Sequence, residues 1–265
     1  MREFPFSTDV SGHTPTPHVD NLDAEDLRRL NRLLPWRCFT LDSQGRKFGK
    51  AASLTKRGKP QTIPDRRITE LDRRLPLQDL SVLEIGCFEG IHTVALAGYG
   101  AHVTAIDSRI ENVAKTLVRS AAFGFNPQVF KCDVEQPADL AQLVATDVTI
   151  HIGVLYHLAD PVIHLKRLLP LTRQSILLDT HYATPQEADR HYVVDGVSYP
   201  YKHYREGGRG DFFAGMFDHA KWLTLDTLKS LLQSSGFTDI DVAQLREERN
   251  GHRVLIYANR THPPV

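Results

Sequence analysis

Three acidic residues in this chain are spaced to hold a nucleotide-like ligand that carries a positive charge. The first, Glu84, lies in the run Val82–Thr93, VLEIGCFEGIHT, where residues of strand character meet Gly86, then Gly90, then an apolar helix-like stretch. A strand that stops on glycine and restarts as a helix lets a ligand lie against bare backbone, because glycine has no Cβ. An acid just before the first glycine repels a pyrophosphate and favours an ammonium group. Asp107 ends the run VTAIDS about twenty residues on, where a carboxylate can accept both hydrogen bonds of a ribose diol. Asp133, in KCDVEQ, ends the next apolar run, where it or the amide of Val134 can meet a base edge. Each acid alone is an ordinary strand-end charge; their succession beside a glycine turn is the signal. NAD is disfavoured, since Phe88 and Ile91 stand where a dinucleotide fingerprint needs glycine.

A second group of residues suits proton transfer. The run His151–Pro161, HIGVLYHLADP, follows a strand and contains His157, while His181 ends the strand after it. Histidine is suited to act as a base near neutral pH, and each of the two reads equally as a hydrogen-bonded structural residue. Asp160, Asp179 and His181 are conceivable metal ligands, but His151, His157 and His164 do not follow one helical face, and no metal is expected. Three scattered cysteines, Cys38, Cys87 and Cys132, give neither a disulfide framework nor a zinc site. Residues 182–220 are rich in Tyr, His, Asp and Gly. Tyr182, Tyr201, Tyr204 and Arg205, with Lys202 and Asp211, are the expected acceptor wall, and Gly207, Gly208 and Gly210 have the composition of a hinge.

The elements that must position these groups alternate. Strands are expected at Val82–Ile85, His102–Asp107, Gln128–Cys132, Val148–Gly153 and Ser175–Thr180, and helices near Glu89–Tyr99, Arg109–Phe123, Ala138–Val144 and Pro161–Leu169. Strict alternation implies a parallel sheet covered on both faces. Leu22–Leu34 and Asp65–Leu75 read as helices, the first with Asp20 and Asn21 as possible caps. Thr224 opens a leucine-faced core helix, and Asp239–Leu245 with His252–Ala258 reads as an antiparallel hairpin closing the sheet. The expected organisation is an N-terminal arm, helices and basic loop forming a lid over 1–80. A catalytic domain then spans 81–265, with an insertion after the fifth strand at 182–220.

Composition is that of an ordinary globular chain: 265 residues, 41% hydrophobic, 24% charged, zero formal net charge. A neutral chain lacks the broad basic footprint of a nucleic-acid binder. Locally, Arg46, Lys47, Lys50, Lys56, Arg57 and Lys59 follow one another without an acid, as a solvated loop or an anion-handling lid. No run has the length of a membrane span, and MREFPFSTDV lacks signal-peptide regions, so a cytoplasmic location is expected. The sequence leaves the oligomeric state open.

Taken together, the glycine loop and the three acids resemble the class I S-adenosylmethionine-dependent methyltransferases over roughly Ser81–Ala258. The resemblance implies an α/β Rossmann-like seven-stranded sheet with an antiparallel last strand. It also implies a cofactor site of Glu84 (methionine ammonium), Gly86, Cys87, Gly90, Asp107 and Ser108 (ribose), and Asp133 with Val134 (adenine). Phe88 departs from that pattern, taking the place of a middle glycine. The run GVLYH, with DRRI at Asp65–Ile68, is similar to the tRNA wobble-uridine carboxymethyltransferases, in which residues matching Ile152 and Tyr156 contact the cofactor. Those enzymes hold an extra cofactor carboxylate with a Trp and two Lys ahead of the first strand. Here only Trp36 precedes it, too early in the chain, so plain S-adenosylmethionine is the expected cofactor. The expected reaction is O-methylation of a small molecule such as a sugar or secondary metabolite. The alternatives are tRNA uridine modification and a non-catalytic cofactor-binding module.

Overall fold

The computed structural model describes residues 4–6, 8, 11–51 and 58–261. They fall into two compact units, 1–131 and 132–265. The seven-stranded sheet has the strand order Phe237–Glu248, Gly251–Arg260, Thr172–His181, Thr146–Ile152, Ser81–Ile85, His102–Asp107, Gln128–Lys131, and Gly251–Arg260, the last in the chain, is antiparallel to both its neighbours.

In the first unit α1 (Ala24–Leu33) begins at Asp23, whose carboxylate accepts the Glu25 and Asp26 amides. Neither Asp20 nor Asn21 is the cap. Asp20 instead accepts from Thr16 and the Ser43 amide, which closes a turn. Where a basic loop was expected, β1 (Phe39–Leu41) and β2 (Lys47–Gly49) form an antiparallel hairpin. Arg46 turns inward to Asp42 and to the carbonyls of Val19 and Leu22, so its charge serves the fold. Lys56 and Arg57 lie outside the described residues. Then α2 (Arg66–Arg74), capped by Asp65, leads into β3 (Ser81–Ile85), α3 (Ile91–Gly98), β4 (His102–Asp107), α4 (Ile110–Ala122) and β5 (Gln128–Lys131). These three strands are parallel and in register, Glu84 beside Ala105 and Ala105 beside Val129. Both faces of a parallel strand are covered, which is why Val82, Leu83, Glu84 and Ile85 are all buried in succession.

The second unit opens with a short helix, α5 (Pro137–Leu140), rather than one reaching Val144. Next come β6 (Thr146–Ile152), α6 (Pro161–Leu168) and β7 (Thr172–His181). Residues 182–220, expected as an insertion with no strand assigned to it, hold most of a three-stranded antiparallel sheet: β8 (Arg190–Val194), β9 (Val197–Arg205) and β10 (His219–Leu223), in order β10-β9-β8. Pro200 argues against a strand here, since it cannot donate to a ladder. It is tolerated because β10 pairs with β9 only from Tyr201 onward, so at Pro200 one side is unpaired. The chain ends with α7 (Leu225–Ser234), capped by Thr224, and the hairpin β11 (Phe237–Glu248) and β12 (Gly251–Arg260), the latter antiparallel to β7.

Beneath β6 and α6, His151 and His164 face each other, Nε2 to Nε2 at 2.8 Å, both buried. Burial lowers both rings, His151 well below its ordinary value and His164 from 6.5 to about 4. The pair is therefore neutral, one Nε2 donating to the other. Between pH 6.5 and 4 the unfolded chain takes up protons that the folded chain refuses, so stability falls with pH. The loss attributable to His164 approaches about 3 kcal/mol at pH 4. Urea titrations at pH 7 and pH 4 measure it, and His164→Asn should remove that share of the difference.

Candidate active site

The cofactor loop is built from strand ends and a glycine turn. After β3, Gly86 and Cys87 donate their amides to Ile106 O at 2.8 and 3.0 Å, which locks the loop onto β4. Gly90, at φ +77°, caps α3; a Cβ there would lie 3.1 Å from Thr116 Cα, so the close approach to α4 requires glycine. Phe88 adopts the same left-handed region at φ +50°, the conformation that a middle glycine would take without strain. Its amide donates to Asp107 Oδ2 at 3.0 Å, and its ring lies 5.5 Å from Lys115 Nζ. The Cys87 thiol accepts from the Thr116 hydroxyl at 3.3 Å and its carbonyl accepts the Gly90 amide at 2.8 Å, so Cys87 serves to hold the loop.

Two carboxylates face different tasks in this loop. Asp107 Oδ1 accepts from the Arg109 amide at 2.9 Å and from Asn112 Nδ2 at 3.1 Å, so its plane is fixed. Ser108 beside it is half-buried. Glu84 is buried; Thr93 donates to Oε2, but Oε1 has no hydrogen-bond partner among the described residues, with His92 Nδ1 3.9 Å away. Burial pushes the Glu84 carboxyl up. A buried oxygen left without a donor is costly, and an arriving ammonium would satisfy it and favour the ionised form. The residues present therefore fit a ligand with an amino-acid end. The Asp65 of DRRI lies nearby in the same unit: against its burial, hydrogen bonds from Arg67 and His92 hold it well below the ordinary carboxylate range.

In the second unit Asp133 and Val134 follow β5, and Asp133 Oδ1 accepts the Glu135 amide at 3.1 Å, forming its own turn. Ile152 is the buried last residue of β6, and Leu155–His157 makes a single 3-10 turn. His157 Nδ1 lies 2.9 Å from Glu206 Oε1; Glu206 is buried and also accepts the Gly215 amide through Oε2. With a carboxylate as partner, Nδ1 carries the proton and Nε2 keeps its lone pair. His181 has the same electronic arrangement, Nδ1 donating to His252 O at 3.0 Å, but its ring is buried and stacked 4.8 Å from Trp222. Burial and then the Arg253 charge lower its pKa.

Tyr156 joins these groups. Its ring centroid lies 4.2 Å from His157 and 4.7 Å from His181, and Arg253 lies 5.2 Å over it. Of the expected acceptor residues, Tyr204 joins this cluster by stacking 4.4 Å from Trp222. Tyr182 packs on His252. Tyr201 and the exposed Arg205 stand on the other face of β9, Tyr201 against Tyr192, and are not brought to the histidines. Asp160 caps α6, and Asp179 is held by Arg246 and Arg253, so neither is presented to a metal; among the described residues no three His, Cys, Asp or Glu side chains gather as a metal site.

A methyltransferase-domain family matches residues 59–242. The chain belongs to this family. The tRNA U34 carboxymethyltransferase of Saccharophagus degradans is 35% identical over 94 residues, 35% of this chain and 29% of that protein. The corresponding protein of Shewanella amazonensis is 29% identical over 198 residues, 66% of this chain and 50% of that one. The chain thus spans half or less of the length of these curated relatives. The N-terminal domain of EvdMO1, crystallised in the presence of SAH and D-fucose, superposes with a TM-score of 0.72 at 26% identity, covering 89% of this chain and 96% of that domain.

Sequence reasoning passed over Glu206 and Trp222. No local signal marked Glu206, because its partner lies 49 residues earlier. Trp222 was available as one of only two tryptophans, placed in an apolar run that pairs with YKHYR.

Proposed function

We propose that this methyltransferase transfers a methyl group to a hydroxyl of a small molecule, a sugar or a comparable secondary metabolite. The observation that carries the reading is the His157–Glu206 pair at 2.9 Å, in a cluster of aromatic rings. Bound S-adenosylmethionine supplies the methyl group from its sulfonium. Glu84 would hold the ammonium end, Asp107 the ribose diol, Asp133 with Val134 the adenine, and Ile152 with Tyr156 the region of the sulfur.

A hydroxyl is a weak nucleophile until its proton leaves, so a base within reach is useful in a way that it is not for a neutral amine. His157 Nε2 accepts that proton as the oxygen attacks, and Glu206 stabilises the imidazolium that forms. The role is that of an orienting carboxylate; the proton stays on Nδ1. His181, buried and stacked on Trp222, holds the cluster in shape and keeps water out. Trp222, buried and stacked by both His181 and Tyr204, fixes the places of the half-buried Tyr204 and Tyr156, aromatic rings of the kind that pack on the apolar side of a sugar. The EvdMO1 domain obtained with D-fucose supports this acceptor class.

The carboxymethyltransferase relatives favour a second reading, tRNA modification. Methyl transfer from labelled S-adenosylmethionine to a panel of deoxy-sugars, phenols and bulk tRNA separates the two. Incorporation into a hydroxyl compound that vanishes in His157→Ala supports the first. Labelled tRNA, with binding that weakens steeply between low and high salt, would replace it by the second.

A further inference from the structure

Lys115, on α4, is fully buried beside the cofactor loop. Its ammonium donates to Glu89 Oε1 at 3.0 Å and to Asn112 Oδ1 at 3.1 Å. Asn112 in turn donates its Nδ2 to Asp107 Oδ1 at 3.1 Å. On the other side, the Glu89 carboxylate accepts the Arg37 amide at 2.6 Å and the Cys38 amide at 3.0 Å. A lysine can only donate, so the Asn112 oxygen must face it and the amide nitrogen must face Asp107. The chain of hydrogen bonds is therefore unbroken and its polarity has a single solution.

Among the described residues Asp107 has two other donors, the amides of Phe88 and Arg109, and both are backbone groups whose places the loop sets. Asn112 is the side-chain donor, and its strength depends on what lies behind it. The Lys115 charge pulls on the Asn112 oxygen and makes its N–H the better donor, an effect that low polarity around buried groups enlarges. Glu89 stabilises that buried charge, and it sits inside the loop itself, between Phe88 and Gly90. Its remaining acceptor capacity goes to the segment before β1.

We propose that Asn112, Lys115 and Glu89 are positioning residues that set the Asp107 carboxylate for the cofactor ribose, and that through them occupancy of the cofactor site is felt at Arg37 and Cys38. The inference rests on the reading of Asp107 as the ribose acceptor.

Titration calorimetry with S-adenosylhomocysteine and its 2′,3′-dideoxy counterpart tests it. Wild-type protein should prefer the diol compound, and Asp107→Ala should abolish that preference; if it does not, the reading of Asp107 fails. Asn112→Leu leaves the Lys115–Glu89 pair intact. It should raise the Kd for S-adenosylhomocysteine about tenfold, the scale of one hydrogen bond to a charged group, and change that for the dideoxy compound less than twofold. The double variant Glu89→Gln/Lys115→Met, which removes both charges at similar volume, should act in the same direction and serves if the first variant does not fold. Unchanged diol preference in these variants, with the preference lost in Asp107→Ala, overturns the inference while leaving the Asp107 reading in place. Hydrogen exchange at the Arg37 and Cys38 amides should slow when S-adenosylhomocysteine binds wild-type protein, and should not respond in Asn112→Leu. No response in the wild type would refute the second half of the proposal.

Discussion

His157→Ala should lower kcat by about 10²–10³ while leaving the affinity for S-adenosylmethionine within about twofold, the usual scale for a base that acts only as the proton leaves. Alanine removes the imidazole whose Nε2 is free because Nδ1 is committed to Glu206. Glu206→Gln keeps the volume but turns a charged acceptor into a neutral amide that can present either end to the ring. That substitution should cost about tenfold or more in kcat, because the imidazolium is no longer stabilised and its tautomer no longer fixed. The two residues act as a unit, so the double variant His157→Ala/Glu206→Gln should be no slower than His157→Ala alone. Single-turnover kinetics with an identified acceptor, paired with calorimetry on the cofactor, read both quantities. A His157→Ala enzyme within threefold of wild type would remove the base from the mechanism. A parallel collapse of cofactor affinity would assign His157 to the architecture of the GVLYH turn instead.

His157 was visible in the sequence and Glu206 was not, and the difference has a physical cause. Local chemistry writes itself into neighbouring residues. The turn from Ile85 through Gly86 to Gly90 announces itself because a strand must stop and a helix must start within a few residues. Asp107 and Asp133 are legible because strand ends have a period. The elements from β3 to β7 thus fall close to where alternation puts them, most of their ends within one to three residues. Pairings between distant segments leave no such trace. Glu206 reaches His157 only because β9 pairs with β10, setting Tyr204 opposite Ala220 and Lys202 opposite Trp222. The strand itself was hidden by Pro200, whose meaning depends on which edge is unpaired. Alternation along β9 also explains the split among the expected acceptor residues. Tyr204 and Lys202 share the Trp222 face, while Tyr201 and Arg205 point the other way. Within the basic run Lys47, Lys50 and Lys59 are exposed, whereas the inward turn of Arg46 was hidden similarly, being set by carbonyls of Val19 and Leu22 that no spacing rule links to it.

Asp179→Ala should destabilise the protein by about 3 kcal/mol, the scale for removing one partner of a buried ion pair. Asp179 is fully buried near the end of β7, and both its oxygens are taken by Arg246 Nη2, at 2.8 and 2.9 Å, with the Arg253 guanidinium also on Oδ1. Arg246 and Arg253 come from the two strands of the terminal hairpin, so one carboxylate clamps that hairpin to β7. Alanine leaves the two guanidiniums only the partly exposed Glu248 among the carboxylates paired with them here, 2.9 Å from Arg246 and 3.7 Å from Arg253, and the thermal midpoint should fall by about 6–12 °C. Replacing all three by apolar residues, Asp179→Leu with Arg246→Met and Arg253→Met, should recover most of the stability, because desolvating the three charges costs much of what their attraction returns. Turnover should not recover with it. Arg253 lies 5.2 Å over the Tyr156 ring, and Tyr156 in turn borders both His157 and His181. The clamp thus carries a functional load separable from its structural one, since a methionine can fill the space over that ring but cannot bring a charge to it. If the apolar triple variant regained full turnover along with its midpoint, the Asp179 cluster would be a structural tie alone. A loss below 1 kcal/mol in Asp179→Ala would show that it is not even that.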